Sequence, residues 1–459
     1  MGTFEPEFLA GACGGRWVVG EPTNGVSGFS YDTRSLSPGD MFIAIETPIR
    51  DGHDFLADAK AKGAVAALVE KPQESIDLPQ LQVASSLEAF RDIARAFRRT
   101  WTFPVIAVTG SCGKTSVKDL LTQLLGGANC VHATQGNLNN SIGVPATMLG
   151  ADGEGCRFAV IEAGISELGE MATLAKAIEP DIAVFTAIGP AHIDGLENID
   201  TIAREKALLA SGEMTKDAYL GSTWAPYSEK VLGGGGCLLV EDDSMPLPWS
   251  YRSLQEDGGS RIEIRGAEGI EAYRIPAVGR GNISNAALAI AVARSCGISV
   301  HEISHQLRNW KPSGMRGEWR SAGQANVFVD CYNANPLSMS DALDVFRSTS
   351  TSPRFYVVGS MGELGDQAES LHEKIGGEII LAAGDRVGLV GDWARSYYEG
   401  MRDAGQNMDQ VAIFETVDGL ETELKAFKGD VFLKGSRRYR LETALDYLSA
   451  STQEQEAAC

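Results

Sequence analysis

The residues most plainly equipped for chemistry are Thr109-Gly110-Ser111-Cys112-Gly113-Lys114-Thr115. A β-branched run at 105–108 leads into them, and a helical pattern over 114–125 leads out. Strand, glycine turn and helix form the setting that a phosphate loop requires. Gly110 and Gly113 let the backbone approach phosphate oxygens. The loop amides, with Ser111, Cys112 and Ser116 in the ATP-binding set, are expected to point at the anion from a helix N-terminus. Lys114 would neutralise the β- and γ-phosphates, and Thr115 would set its hydroxyl on Mg²⁺. Only two residues separate the glycines, fewer than in the common GxxxxGK[ST] spacing. Cys112 reads as part of the cradle and not as a nucleophile, because a bound anion disfavours a thiolate.

A second group could hold metal or phosphate. Glu162 follows the apolar run 158–161, and an acidic residue at the carboxyl end of a parallel strand faces the ligand crevice. It could hold Mg²⁺ bridging phosphate oxygens. His192 alone carries little information, and by composition Lys206 is a surface lysine on a helix. The run Gly136-Asn137-Leu138-Asn139-Asn140 offers side-chain amides suited to neutral hydrogen bonding with phosphate or sugar. Asn282 or Ser284 could cap the alanine-rich helix that follows Gly279. Arg316 could clamp a phosphoryl group as its charge shifts. Lys434 and Arg437, at a strand end, could bind a terminal carboxylate or the γ-phosphate side of a cleft.

The shortened loop resembles that of the Mur ligase family, ATP-dependent amide-forming enzymes of peptidoglycan precursor assembly. The likeness runs over nearly the whole chain and is weakest at 212–269. It implies a role for His192, in Pro190-Ala191-His192, at a second Mg²⁺. It implies that Lys206 matches a helix lysine carbamylated in several members to give a further metal-binding carboxylate. Asn137 and Asn139 would lie by the substrate and the γ-phosphate. Asn282 and Asn285 fit a pattern associated with the adenine pocket, with Gly281 where a histidine is usual. Arg316, in Pro312-Ser313-Gly314-Met315-Arg316-Gly317, resembles the arginine near the boundary of the last two domains. Asp330 would hold the ribose side, with Tyr332 in the ATP set and Asn335 on the substrate side. The Tyr332-Asn333-Ala334-Asn335 form points to the branch that adds D-alanyl-D-alanine to a muramoyl tripeptide. Cys331 replaces a frequent serine there. The segment Gly359-Ser360-Met361-Gly362-Glu363-Leu364-Gly365, followed by Ser370 and His372, supports the same branch, with Ser360 where an acidic residue is usual. Near the start, Ser30, Asp32, Thr33 and Arg34 look like part of a uridine-nucleotide-binding module. There Glu46-Thr47-Pro48-Ile49-Arg50 stands in place of the usual Gly-Glu.

The elements that must position these residues can be read coarsely. Runs at 41–45 and 65–69 look like buried strands, with helical spacing over 53–62 between them. From Pro104 onward, strands at 105–108, 158–161 and 182–185 alternate with helices such as 167–177, which implies a parallel sheet. Alternation over 261–275 suggests antiparallel strands, the glycines at 233–236 a surface turn, and 285–295 a buried helix. Runs at 327–329, 355–358, 387–390, 411–414 and 431–433 indicate a second α/β sheet of dinucleotide-fold size. The fold class expected is α/β in three domains: a small N-terminal module over 1–98, a central P-loop ATPase-type sheet over 99–312, and a Rossmann-like domain over 313–459. The polar tail at 451–459 is expected to fray.

Composition removes several other classes. At 459 residues and roughly 150 per domain, about three domains are expected. Forty basic residues against 61 acidic ones give a net charge of −21, which argues against broad nucleic-acid binding and against anionic lipid. No apolar stretch reaches the roughly 18 residues of a membrane span, and the N-terminus does not read as a signal peptide. The eight cysteines form no CxxC pair, so a zinc site or disulfide framework is not expected. The expected protein is a cytoplasmic, monomeric ligase using ATP and Mg²⁺. Its expected partners are UDP-N-acetylmuramoyl-tripeptide and D-alanyl-D-alanine. Another Mur-type or a folylpolyglutamate-type amide ligase, and a silent nucleotide-binding scaffold, are the rivals. The first module and the Tyr332-Asn333-Ala334-Asn335 segment argue against a folylpolyglutamate-type ligase, and intact Lys114, Thr115, Glu162, His192 and Lys206 against a silent scaffold.

Overall fold

The chain is described from a computed structural model covering residues 3–152, 155–231, 237–242, 244, 249–266, 269–312 and 314–449. The expected turn at 233–236 and the tail at 451–459 lie outside the described residues. The fold is α/β with three main sheets, as expected. The first runs Arg16–Val18, Gln80–Gln82, Ala66–Val69, Asp40–Ile43, Gly28–Ser30, parallel except for its first strand. The second is six-stranded and wholly parallel: Cys237–Leu238, Asp217–Leu220, Ile182–Phe185, Val105–Thr109, Phe158–Glu162, Val131–Ala133. The third runs Glu318–Ala322, Ala325–Val329, Asp430–Lys434, Arg354–Gly359, Arg386–Val390, Val411–Phe414. A smaller sheet, which includes the antiparallel pair Gly259–Gly266 and Gly269–Ile275, flanks the second.

Strand Val105–Thr109 is buried throughout, the pattern of a central parallel strand covered on both faces. Its neighbours end in Glu162 and Phe185, so three strands deliver their carboxyl ends to one edge. That edge is where parallel sheets place ligands. Helix Arg280–Ser295 packs on helix Lys114–Leu124 behind the phosphate loop. Its alanines at 286, 287, 289, 291 and 293 are buried, so small side chains allow close approach. The helical spacing at 53–62 resolves into a 3₁₀ turn, Gly52–Phe55, and helix Leu56–Ala61. An edge strand, Glu318–Ala322, was not expected. Its charged, mostly exposed residues lack an apolar signal, as suits a sheet edge.

Two kinds of contact join the domains. Helix Ser86–Arg98, capped by Ser85, buries Ala89, Phe90, Ile93 and Ala94 and sends its basic end into the central domain. Arg98, itself buried, bonds Asp181 at 2.7 Å and the carbonyls of Ile178 and Glu179. Arg95 and Arg99 both hold Glu179. The third domain meets the centre through loops and through helix Pro336–Thr349, whose Asp341 accepts the Gly281 amide. One of the loops is the 359–365 segment, held by His372. That buried imidazole accepts the Met361 amide at Nε2 (2.9 Å) and places Nδ1 on the Ala368 carbonyl. Its ring stacks on Trp393 and meets Tyr397 edge-on.

Burial lowers the His372 pKa to about 4, so the folded state keeps it neutral. The unfolded chain, with a pKa near 6.5, binds more protons between pH 6.5 and 4. Stability from this group is therefore full above pH 6.5 and falls as pH drops through that window, by about 3 kcal/mol in total. Urea unfolding followed by tryptophan fluorescence should show that slope in the native chain and a shallower one in His372→Gln. Equal slopes would contradict the assignment.

Candidate active site

The phosphate loop is shaped by glycines at positions where a side chain does not fit. A Cβ on Gly110 would lie 2.0 Å from Thr186 Oγ1. Gly113 adopts φ +87°, and a Cβ there would meet Asn285 Oδ1 at 2.4 Å. The amides of Ser111 and Cys112 are already engaged. They donate to the Ala187 carbonyl at 2.8 and 3.3 Å, and the Ser111 hydroxyl donates to Gly189. These two residues therefore set the loop's shape. The amides at the start of helix Lys114–Leu124, those of Lys114, Thr115 and Ser116, have no partner within the helix and are open to an anion. Burial pushes the Cys112 thiol up, in keeping with an inert role.

Lys114 donates to the Gly110 carbonyl at 2.9 Å, and burial lowers its pKa while Glu162 opposes that shift. Glu162 is buried and fixed at both ends. Its amide donates to Thr134 Oγ1, and Asn139 donates to its Oε1 at 2.7 Å. Its Oε2 is buried with no hydrogen-bond partner among the described residues. An ionised carboxylate oxygen in that state is costly unless a cation meets it. Thr115, with a hydroxyl, and Glu162, with a free oxygen, fit the hard oxygen donors that Mg²⁺ takes.

Lys206 departs from its composition reading: it is buried on helix Ile199–Ala207, not on the surface. Its pKa is driven well below normal, by burial first and then by Lys114. The apolar face of the helix, with Ile202 and Ala203, carries it inward. His192 occupies a left-handed position (φ +56°) after strand Ile182–Phe185, and its Nδ1 abuts the Glu363 carboxylate of the third domain. Glu363 also accepts the Ile193 amide on its carbonyl at 2.9 Å. Sequence reasoning quoted Glu363 only as part of a motif and missed this contact. No local pattern connects residues 171 positions apart.

Other residues from the third domain converge on the loop. Arg316 lies 4.1 Å over the Tyr332 ring and donates to Thr115 Oγ1 at 3.1 Å. Asn335 caps helix Pro336–Thr349 through its Oδ1 and donates from Nδ2 to the Ser111 carbonyl. Lys434 is buried and binds Asp330 Oδ2 at 2.6 Å, with the Asn333 carbonyl at 3.3 Å. A buried ammonium needs such a partner, so Lys434 orders the Asp330–Asn333 turn and is not a free cation. Arg437 is half-exposed against Glu442. Asn282 bonds the Val278 carbonyl at 3.1 Å. Ser360, in place of an acidic residue, accepts the Trp393 amide and donates to the Val390 carbonyl.

The first-domain residues form a separate group. The Ser30 hydroxyl donates to the Asp32 carbonyl. Asp32 accepts the Arg34 amide and guanidinium, which holds its carboxyl down at about 2. Thr33 is buried, whereas the Arg34 side chain is largely exposed. Asn137 is exposed on the loop before helix Gly143–Leu149.

This arrangement matches known proteins. Residues 25–98 match the model described as Mur ligase family, catalytic domain. Residues 108–293 match the Mur ligase middle domain, and 315–437 the Mur ligase glutamate ligase domain. The UDP-N-acetylmuramoyl-tripeptide–D-alanyl-D-alanine ligase of Escherichia coli (strain K12) is 32% identical over 418 residues, 90% of this chain and 91% of the relative. The ligase of the same name from Bacillus subtilis (strain 168) is 33% identical, covering 91% and 92%. A crystal structure of MurF from Acinetobacter baumannii superposes with a TM-score of 0.89 at 26% identity, covering 98% of this chain and 99% of that one. Mycobacterium tuberculosis folylpolyglutamate synthase, complexed with ADP, shares the fold at a TM-score of 0.60 and 17% identity, over 79% and 93%. Across first, middle and last domains alike, this chain belongs to the Mur ligase family.

Proposed function

We propose that this chain joins D-alanyl-D-alanine to UDP-N-acetylmuramoyl-tripeptide at the expense of ATP, giving UDP-N-acetylmuramoyl-pentapeptide, ADP and phosphate. The observation that carries the reading is the phosphate loop with half-buried Lys114 and, on the adjacent strand, Glu162, whose buried Oε2 has no hydrogen-bond partner among the described residues. The relatives' printed name supplies the substrates. Residues 1–98 would bind the UDP-muramoyl donor, 99–312 ATP, and 313–459 the acceptor. Among the described residues no helix is long and apolar enough to cross a membrane. A monomer working in the cytoplasm, where ATP and UDP-linked precursors meet, fits the reading.

The γ-phosphoryl group passes to the free carboxylate of the peptide stem, forming an acyl phosphate. The acceptor amine then attacks the acyl carbon, and phosphate leaves with the electron pair of the broken C–O bond. The protein's work in such a transfer is positioning and charge stabilisation. Lys114 and the amides of Thr115 and Ser116 would hold the β- and γ-phosphates. Arg316, already at Thr115 Oγ1, would follow the migrating charge. Thr115, Glu162, His192 and a carbamate on Lys206 would hold Mg²⁺, which when bound spreads the negative charge of the phosphates. The lowered pKa of Lys206 favours the free amine that carbamylation needs. Asn137 and Asn139 would face the donor near the phosphoryl group. Ser30, Asp32, Thr33 and Arg34 would take its uridine end. Asn282, Asn285, Asp330 and Tyr332 would hold the nucleoside, and Asn335, Lys434 and Arg437 would form the acceptor side. Docking of the third domain would exclude water from the acyl phosphate.

Purified protein should release phosphate from ATP only when both UDP-N-acetylmuramoyl-tripeptide and D-alanyl-D-alanine are present. Equal release with glutamate or a single amino acid as acceptor would move the chain to another branch of the family. Lys114→Ala should abolish turnover, by at least about 10³-fold given the charge it offsets. Its melting temperature should stay near that of the parent; retained ligation would remove the phosphate-loop assignment.

A further inference from the structure

Helix Arg280–Ser295 carries Asn282 and Asn285, yet it has no cap of its own. Its N-cap position is Gly279, which offers no side chain to the first amides. The acceptor comes from the third domain. Asp341, on helix Pro336–Thr349, accepts the Gly281 amide at 3.1 Å and also takes the Arg280 amide. A carboxylate at this place satisfies donors that the helix leaves open and meets the positive end of its dipole.

The fit depends on glycine. A Cβ on Gly281 would lie 2.7 Å from Asp341 Oδ2, and one on Gly279 would lie 2.3 Å from Val345 Cγ2. Both neighbours belong to the same third-domain helix. One turn further along the capped helix, Asn285 rests its side-chain amide against Gly113 of the phosphate loop. A continuous path of contacts therefore runs from Asp341 through Gly281 and Asn285 to the loop. It also explains the departure noted at 281: a histidine there would meet the Asp341 carboxylate.

We propose that Asp341 is a positioning residue for nucleotide binding: it caps, from the third domain, the central-domain helix that carries Asn282 and Asn285. The cap exists only when the two domains are docked, so nucleotide affinity and docking are linked. Because linkage is reciprocal, nucleotide favours the docked arrangement by the same factor that docking favours nucleotide. This inference rests on the nucleotide site proposed above.

The test is ADP affinity, measured by titration calorimetry on the full chain, with domain docking followed by small-angle scattering. Loss of a cap corresponds to about a five- to tenfold change. Asp341→Ala should weaken ADP by that factor and leave binding of the UDP-linked donor unchanged. Asp341→Asn keeps an acceptor for the Gly281 amide and should stay within about twofold of the parent. Gly281→Ala is the second arm. Alanine is the better helix former, so a purely structural role predicts no loss or a gain in stability. The inference instead predicts weaker ADP binding and less compaction on adding ADP. If Lys114→Ala weakens ADP while Asp341→Ala and Gly281→Ala bind it like the parent, the inference is overturned and the nucleotide site stands. If Lys114→Ala also binds ADP like the parent, the nucleotide site itself is lost and the inference with it.

Discussion

The structure depends on charges held out of water at the end of one parallel strand. Lys206 is buried and Lys114 half-buried, and each has its ammonium form disfavoured by that burial. Glu162 brings one open carboxylate oxygen into the same region. Groups in this state are destabilising in a folded chain unless something compensates them. Under the proposed function, ATP would bring the negative charge that offsets Lys114, and Mg²⁺ the cation that Glu162 is placed to meet. The fold is arranged to hold the uncompensated set rigid: Thr109, Glu162 and Phe185 end neighbouring strands, and Thr134, Asn139 and Thr186 fix the side chains and loop between them.

The two domain junctions differ in kind. At the first-domain junction, Arg95 and Arg98 of one helix and Arg99 at its C-cap grip Glu179 and Asp181, and Arg98 does so with its side chain buried. Breaking such a pair would leave a stranded charge, which opposes separation at this junction. At the third-domain junction, the contacts include a loop carbonyl on Ile193, the Glu363–His192 pair, Asn335 on the Ser111 carbonyl, Arg316 on Thr115 and Asp341 on the Gly281 amide. Each is a small polar contact touching the phosphate loop or its neighbours. A third domain attached in this way can respond to what the loop holds, which suits a reaction that must close around an acyl phosphate.

Much of this was legible in the chain because it is local. Strand Val105–Thr109 is a continuous apolar run, the loop carries its glycines and lysine at short spacing, and the helix after it has a clear period. The third sheet was legible for the same reason. What escaped was set by distant neighbours. Lys206 looks like a surface lysine because helix composition does not say what the helix packs against. Ser111 and Cys112 look like anion donors because nothing nearby announces that Ala187 takes their amides. Lys434 looks free until Asp330, 104 residues away in the chain, is seen on it. Short strands such as Gly28–Ser30 and Gln80–Gln82 have too few residues to show a period.

The acidic excess of the whole chain, −21, does not conflict with anionic substrates, because positive charge is gathered beside the phosphate loop at Lys114 and Arg316. The central claim is that these groups carry a phosphoryl group onto a carboxylate and not onto water. The most direct measurement is oxygen transfer. A tripeptide donor labelled with ¹⁸O in its free carboxylate should, on complete reaction with ATP and D-alanyl-D-alanine, yield phosphate bearing one donor oxygen, read by mass spectrometry. Phosphate without the label would mean that water took the phosphoryl group, and the acyl-phosphate account would fall.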